Sequence, residues 1–190
     1  MTEQELVVLL DAYGAPCGSA PKQDFHDQHT PFHLAFSCYV FDAMGRTLVT
    51  RRALTKAAWP GVWTNSFCGH PAPGENMTAA IRRRGEWELG IELDELEERL
   101  PDFRYRAVDP NGVVENEFCP VFSAVTVSTI APRDSEVCEF RWASISDVCA
   151  AAEAAPWAFS PWLVLQLELL RSSIKDRMLT PTENGAKSAS

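Results

Sequence analysis

Residues 69–91 read G-H-P-A-P-G-E-N-M-T-A-A-I-R-R-R-G-E-W-E-L-G-I, and they contain a helix with both of its ends marked. Asn76 suits the N-cap, because its side chain accepts hydrogen bonds from the first free amides of a helix. Gly90 suits the stop, because glycine enters the left-handed conformation that closes a last turn. The helix therefore spans about Met77 to Leu89. Ala80, Arg84 and Glu88 are four apart and share one face.

The stretch leading into it, Arg51 to His70, is R-R-A-L-T-K-A-A-W-P-G-V-W-T-N-S-F-C-G-H. Trp59-Pro60-Gly61 cannot continue a helix, since proline lacks a donor and restricts the residue before it. Loop and short strand are expected here. The stretch ends with a thiol and an imidazole two residues apart, Cys68 and His70, which can approach one small ligand or one metal.

A chain of 190 residues suffices for one domain with a sizeable core. One domain is expected over residues 1–179, followed by a small, polar, disordered tail over 180–190. The net charge of −9 argues against nucleic acid or an anionic membrane as partner. A small anion remains admissible at a local basic cluster, Arg51, Arg52 and Lys56. The six cysteines are scattered without a C-x-x-C pair, and the N-terminus M-T-E-Q-E lacks an apolar signal core. Free thiols in a reducing, cytoplasmic setting are expected. No apolar run approaches the ~20 residues of a membrane span.

In chain order, Glu5 to Leu10 reads as a strand, and residues 19–32 as polar and irregular. H-L-A-F-S-C-Y-V-F from His33 reads as a strand that turns at Asp42–Gly45 and returns through Arg46–Thr50. The acidic Glu92–Arg99 reads as a solvated turn or short helix. Phe103–Ala107 and Val113–Val125 flank Asp109-Pro110-Asn111-Gly112, a strong turn signal, and form a long hairpin. Strand alternation puts Glu115, Glu117 and Cys119 on one face of its second arm. Cys138–Trp142 is a further strand, Ser146–Glu153 a short helix, and Pro161–Arg177 a C-terminal helix. The fold class is α+β, a mixed or antiparallel sheet sandwiched by helices.

His26, His33, His70, Glu115 and Glu117 are candidate ligands of a divalent metal, since imidazole with carboxylate suits Mn²⁺, Mg²⁺, Fe²⁺ or Zn²⁺. His26 and His33 are seven apart with Pro31 between, so a loop must fold back to bring them together.

Gly69 to Ile91 also resembles the Nudix box, G-x5-E-x7-R-E-U-x-E-E-x-G-U, with U a bulky aliphatic. Gly69, Glu75, Arg83, Glu88, Gly90 and Ile91 match it. Arg84 and Trp87 stand where the box has glutamates, and Gly85 stands where it has an aliphatic. Those glutamates hold the metals of diphosphate hydrolysis, so the resemblance implies a Nudix-like fold with its hydrolytic site largely dismantled.

Beyond that box, the chain resembles type I isopentenyl-diphosphate Δ-isomerases over roughly residues 5–175. The matching pieces include H-x6-H at His26/His33, L-V-T-R-R-A-L from Leu48, W-P-G-V-W-T-N-S-F-C-G-H-P from Trp59, P-D-F-R-Y-R-A from Pro101, G-V-V-E-N-E-F-C-P-V-F from Gly112 and P-W-A-F-S-P-W from Pro156. This resemblance implies an isomerase of isoprenoid biosynthesis that interconverts isopentenyl and dimethylallyl diphosphate by an allylic proton shift, without flavin. It implies a Mn²⁺ or Zn²⁺ held by His26, His33, His70, Glu115 and Glu117. It also implies a Mg²⁺ that binds the substrate diphosphate through Glu88 and the Cys68 backbone carbonyl. Cys68 and Glu117 become the acid/base pair, Tyr105 sits beside Glu117, and Trp162 lies near the hydrocarbon. Lys22, Arg52, Lys56 and Arg84 would meet the diphosphate.

The chemistry suits those roles. A double-bond shift needs positioned proton-transfer groups on both faces of the alkene, and a desolvated cation over an indole gains ~2 kcal/mol or more. Trp59, Trp157 and Phe159 are expected in ordinary core packing. The partner expected is a small prenyl diphosphate, for a monomer or weak homodimer. A Nudix-type diphosphate hydrolase is the alternative activity, and a metal- or nucleotide-binding regulatory domain a third.

Overall fold

The structure is a computed structural model that describes residues 5–179 apart from 23, 24 and 26, with side chains described as far as 171. His26 and the 180–190 tail lie outside the described residues.

The strands are β1 (Leu6–Leu10), β2 (Pro16–Pro21), β3 (His33–Leu34), β4 (Phe36–Phe41), β5 (Thr47–Arg52), β6 (Trp63–Thr64) and β7 (Phe67–Gly69). Helix α1 (Met77–Leu89) follows, then β8 (Asp94–Leu100), β9 (Arg104–Val108), β10 (Val114–Phe118), β11 (Val121–Val125) and β12 (Val137–Ala143). Helix α2 (Ile145–Ala154), a single 3-10 turn and helix α3 (Pro161–Leu179) complete the order.

Two sheets result. One has the order β2-β1-β3-β10-β9. The other has the order β12-β5-β4-β11-β8, with β6 added to β5 and β7 to β4. They are joined where two chain segments cross together. β3 runs parallel to β10, and β4 runs parallel to β11, so both segments change sheet at the same level. Ala35 N–H donates to Phe118 O and Ser37 N–H to Pro120 O across that crossing. The expected single arm Val113–Val125 is therefore two strands. Its break falls at Cys119-Pro120, where proline removes a ladder donor.

Helix α1 keeps the expected ends. Asn76 Oδ1 accepts from Thr78 N–H at 2.9 Å, and Gly90 closes the helix at φ 67°. Its buried face carries Ala80, Ile81, Arg84, Gly85, Glu88 and Leu89. Alternation along β4 sends Phe36, Cys38 and Val40 into a core that includes Ile81 and Leu89. Tyr39 faces the other way, into a core with Trp162, Leu163 and Leu167 of α3. Helices thus cover both faces of the larger sheet.

Three further expectations are corrected. The acidic segment is the strand β8, antiparallel to β11, rather than a turn or helix. Its carboxylates lie on an edge, where charge discourages pairing with another chain, while buried Ile91 and Leu93 fix its entry. Part of the irregular 19–32 stretch is the strand β2 paired to β1. Trp157, expected in the core, is 83% exposed, Phe159 is half-buried, and of that trio Trp59 is buried.

Candidate active site

The crossing of the two sheets leaves a cavity of about 820 Å³ beside β7 and α1. It is lined by Lys22, Arg52, Lys56, Cys68, His70, Arg84, Glu88, Tyr105, Glu115, Glu117 and Trp162. Glu5 and Glu136, which the sequence did not single out, line it as well.

At its inner end His33, His70 and Glu117 converge. One ligand atom from each lies within 4.8 Å of the others. Both imidazole Nε2 atoms are 3.5 Å from Glu117 Oε1, and the rings are 5.1 Å apart. The strand pairing explains the meeting, since Glu117 is the register partner of His33. The Pro31 carbonyl, 2.9 Å from His33 Nδ1, can only accept, so Nδ1 carries a hydrogen and Nε2 is the nitrogen turned toward the cluster. Two buried imidazoles and a carboxylate in this arrangement fit a divalent cation. Burial and the neighbouring His33 and Lys22 push the His70 imidazole down to about 3, so it is neutral, as ligation requires. Burial opposes charge on Glu117, but the two imidazoles outweigh it and hold its carboxyl well below the usual range. Glu115, two residues away on β10, is buried beside the same cavity.

Cys68 lines the same cavity. Its Sγ is 3.2 Å from Ser37 Oγ and 3.4 Å from Asn65 Oδ1. Burial pushes its thiol up to about 12, so it is held protonated. Tyr105 is the register partner of Glu117 on β9, and burial together with Glu117 raises its phenol well above the ordinary value. The Tyr105 and Trp162 ring centres are 5.7 Å apart. Trp59 meets Trp162 edge-on at 5.6 Å and holds a left-handed backbone with φ 45°. This residue sits before a proline, a costly place for that conformation. The strained turn aims the Ala58 and Trp59 carbonyls at Arg52, whose guanidinium donates to both and lies 5.2 Å from the Trp162 ring centre.

The outer end is a network of opposite charges. Arg84 is buried and pairs with Glu88, with Glu136 at 3.5 Å and with Glu5 at 3.6 Å. Lys56 pairs with Glu136, and Lys22 with Glu5 at 3.0 Å. Three of the four cations expected to meet a diphosphate, Lys22, Lys56 and Arg84, are thus gathered and held by Glu136 just before β12, Glu88 of α1 and Glu5 of the N-terminal segment.

A family model described as NUDIX domain matches residues 31–163. The isopentenyl-diphosphate Delta-isomerase of Clavibacter michiganensis subsp. michiganensis is 61% identical over 166 residues, 87% of this chain and 86% of that protein. The enzyme of the same name from Citrobacter koseri is 55% identical over 162 residues, 85% of this chain and 90% of that protein. The chain belongs to the isopentenyl-diphosphate Delta-isomerase family. A MutT protein from Methanosarcina mazei, 15% identical, superposes with a TM-score of 0.60 over 76% of this chain and 96% of its own, which shows the shared Nudix fold.

In this member of the isopentenyl-diphosphate Delta-isomerase family, the departures from the Nudix box have local causes. At Gly85 an added Cβ would lie 3.2 Å from Leu93 Cδ1 and 3.4 Å from Phe67 Cζ, so no space is left for an aliphatic side chain. Arg84 occupies the cavity side of α1 as a cation among three carboxylates. Trp87 projects outward and stacks under Arg133, whose Cζ is 3.7 Å from its ring centre.

Proposed function

We propose that this protein interconverts isopentenyl and dimethylallyl diphosphate by protonation and deprotonation. The observation that carries the reading is one cavity with a thiol, a carboxylate–phenol pair and an indole inside, and Lys22, Lys56 and the buried Arg84 at its outer end.

In this reading Lys22, Lys56, Arg84 and Arg52 bind the diphosphate, exchanging some of their carboxylate partners for phosphate oxygens. Trp162 and Tyr105 line the hydrocarbon end, with Trp59 packed edge-on against Trp162, and keep bulk water from trapping a cation as an alcohol. A proton adds to the terminal alkene carbon, and the π pair forms the new C–H bond. The tertiary cation that remains is stabilised by the face of Trp162. A proton then leaves the carbon on the other side, and its C–H pair becomes the new double bond. Cys68 and Glu117 are the two proton-transfer groups on opposite faces, and Tyr105 tunes Glu117.

His33, His70 and Glu117, completed by Glu115 and His26, would hold Mn²⁺ or Zn²⁺, and Glu88 with the Cys68 carbonyl would hold a Mg²⁺ on the diphosphate. Bound there, such ions supply positive charge that neutralises the diphosphate and fixes the Glu117 carboxylate in one orientation.

Purified protein incubated with isopentenyl diphosphate and Mg²⁺ tests the proposal. Dimethylallyl diphosphate is the expected product. Release of phosphate or a monophosphate without it would reject the isomerase and favour a hydrolase.

A further inference from the structure

Asn65 belongs to the W-T-N-S-F-C-G-H stretch and lies three residues before the Cys68 thiol. We propose that Asn65, with the chain Ser37–Gln166–Tyr39, is a positioning element that fixes the direction in which the Cys68 thiol donates and registers it against the indole of Trp162. The inference rests on the isomerase reading and extends it to residues that touch no substrate atom.

The Asn65 side chain is wholly buried, and its orientation is forced. Nδ2 donates to the Cys38 carbonyl at 3.1 Å and the Phe67 carbonyl at 2.8 Å, which uses both amide hydrogens on groups that only accept. Oδ1 must then face the cavity. There it accepts from Trp162 Nε1–H at 3.1 Å and from Thr64 Oγ1–H at 2.9 Å. The third neighbour of that oxygen is Cys68 Sγ at 3.4 Å. An amide oxygen carries no hydrogen, so this contact exists only with S–H donating. One oxygen therefore pins both the thiol proton and the edge of the aromatic wall.

The other side of the sulfur meets a donor. Tyr39 O–H donates to Gln166 Oε1 at 3.0 Å, and Gln166 Nε2 donates to Ser37 Oγ at 2.9 Å. Cys68 spends its one hydrogen on Asn65, so Ser37 is the donor in its 3.2 Å contact with Cys68 Sγ, and Cys119 Sγ lies 3.4 Å from the same hydroxyl. Ser37 and Gln166 are fully buried, so no water competes for these bonds. The polarity runs in one direction: hydroxyl to sulfur, then S–H to amide oxygen. When the thiol passes its proton to carbon, the S–H electron pair stays on sulfur and the Ser37 hydroxyl already points at it. When a proton returns to sulfur, the S–H bond re-forms pointing at Asn65 Oδ1, which accepts the hydrogen bond in the same place. Gln166 reaches this chain from α3, outside the Nudix box.

The test compares Ser37→Ala and Gln166→Met with the parent in the full chain, using isopentenyl diphosphate and Mg²⁺. Each variant should lower kcat roughly 10- to 100-fold, the loss expected when a hydrogen bond to a developing charge is removed. KM should stay within about two-fold, because substrate binding is untouched, and Ser37→Thr should recover most of the loss. A kcat within about two-fold of the parent in either variant overturns the proposal, as does a loss shared equally with KM. The infrared S–H stretch of Cys68, isolated by subtracting the spectrum of Cys68→Ala, gives a readout without turnover. It should lie below the frequency of a thiol with no acceptor; a band at that unbonded frequency overturns the proposal even if either variant fails to fold. A parent that forms no dimethylallyl product sinks the isomerase reading, while the infrared band still decides the thiol's direction.

Discussion

His33 and Glu117 are register partners on two parallel strands, and Nε2 of the one lies 3.5 Å from Oε1 of the other. The pair sits where the two sheets are stitched together, so whatever binds there ties the sheets. A divalent ion held at about a hundredfold excess over its dissociation constant adds ~2.7 kcal/mol of stability. For a chain of this length that corresponds to roughly 5–10 °C in Tm. Chelator treatment should lower Tm by about that much, and Mn²⁺ or Zn²⁺ should restore it. His33→Ala and His70→Ala should each lower bound metal by elemental analysis and remove the chelator effect. Undiminished metal content in either variant removes that histidine from the ligand set.

Arg84 is the only cation that touches Glu5, Glu88 and Glu136 together among the described residues. Arg84→Met keeps the volume and leaves buried Glu88 facing Glu136 without the charge between them. Breaking a buried pair from one side costs about 3–5 kcal/mol, and urea denaturation should show it. Arg84→Met/Glu88→Gln should recover part of the loss, because the stranded carboxylate is gone. A single variant within about 1 kcal/mol of the parent would mean that water reaches this network freely.

Cys68→Ala and Glu117→Gln each remove one proposed proton-transfer group without adding bulk. Each should lower turnover by ~10²–10⁴, the usual share of general acid–base catalysis, with an unchanged far-UV spectrum. Near-parental turnover in either would transfer that role to another group lining the cavity.

What the sequence made readable follows from how local each signal is. Helix α1 was legible to the residue because Asn76 and Gly90 are its own caps. The two strand pairs that change sheet were not. Apolar alternation continues through Ala35, and only Pro120 hints at the second break. β8 was hidden because acidic side chains on an edge resemble a solvated turn, and its pairing with β11 is a tertiary fact. Cys68 and His70 stood out because one short stretch holds both. Glu136, Ser37 and Gln166 did not, since their partners Lys56, Cys68 and Tyr39 are 80, 31 and 127 residues away. Asn65 was within reach, because a polar residue with two hydrogens and one acceptor lies three positions before the thiol.

Glu136 gives the network a pH dependence of known sign. Burial raises its carboxyl, but Lys56 and Arg84 outweigh that and hold it below the ordinary value. A carboxylate lowered in the fold adds stability above its unfolded pKa, about 4.3 for Glu. That contribution is lost as pH falls through the lower folded value. The parent should therefore melt above Glu136→Gln by a gap that is flat above about pH 5 and narrows from roughly pH 4 downward. Thermal denaturation between pH 3 and 7 measures it; a gap that widens on acidification would reverse the assigned sign.

Gly69 ends the thiol strand β7 and packs against α1 at a point with no spare room. A Cβ there would lie 2.8 Å from Arg84 Cγ and 2.8 Å from Phe36 Cζ. Phe36 is fully buried and Arg84 is held by its carboxylates, so neither can retreat cheaply. Gly69→Ala should push β7 away from α1 and cost about 1–3 kcal/mol, the usual range for an overpacked core. The same displacement moves the Cys68 backbone away from Glu88, between which the substrate-bound Mg²⁺ is proposed to lie. Turnover should then depend on a higher Mg²⁺ concentration than in the parent. A variant with lowered stability but an unshifted Mg²⁺ requirement would show that the Cys68 carbonyl and Glu88 do not share that ion.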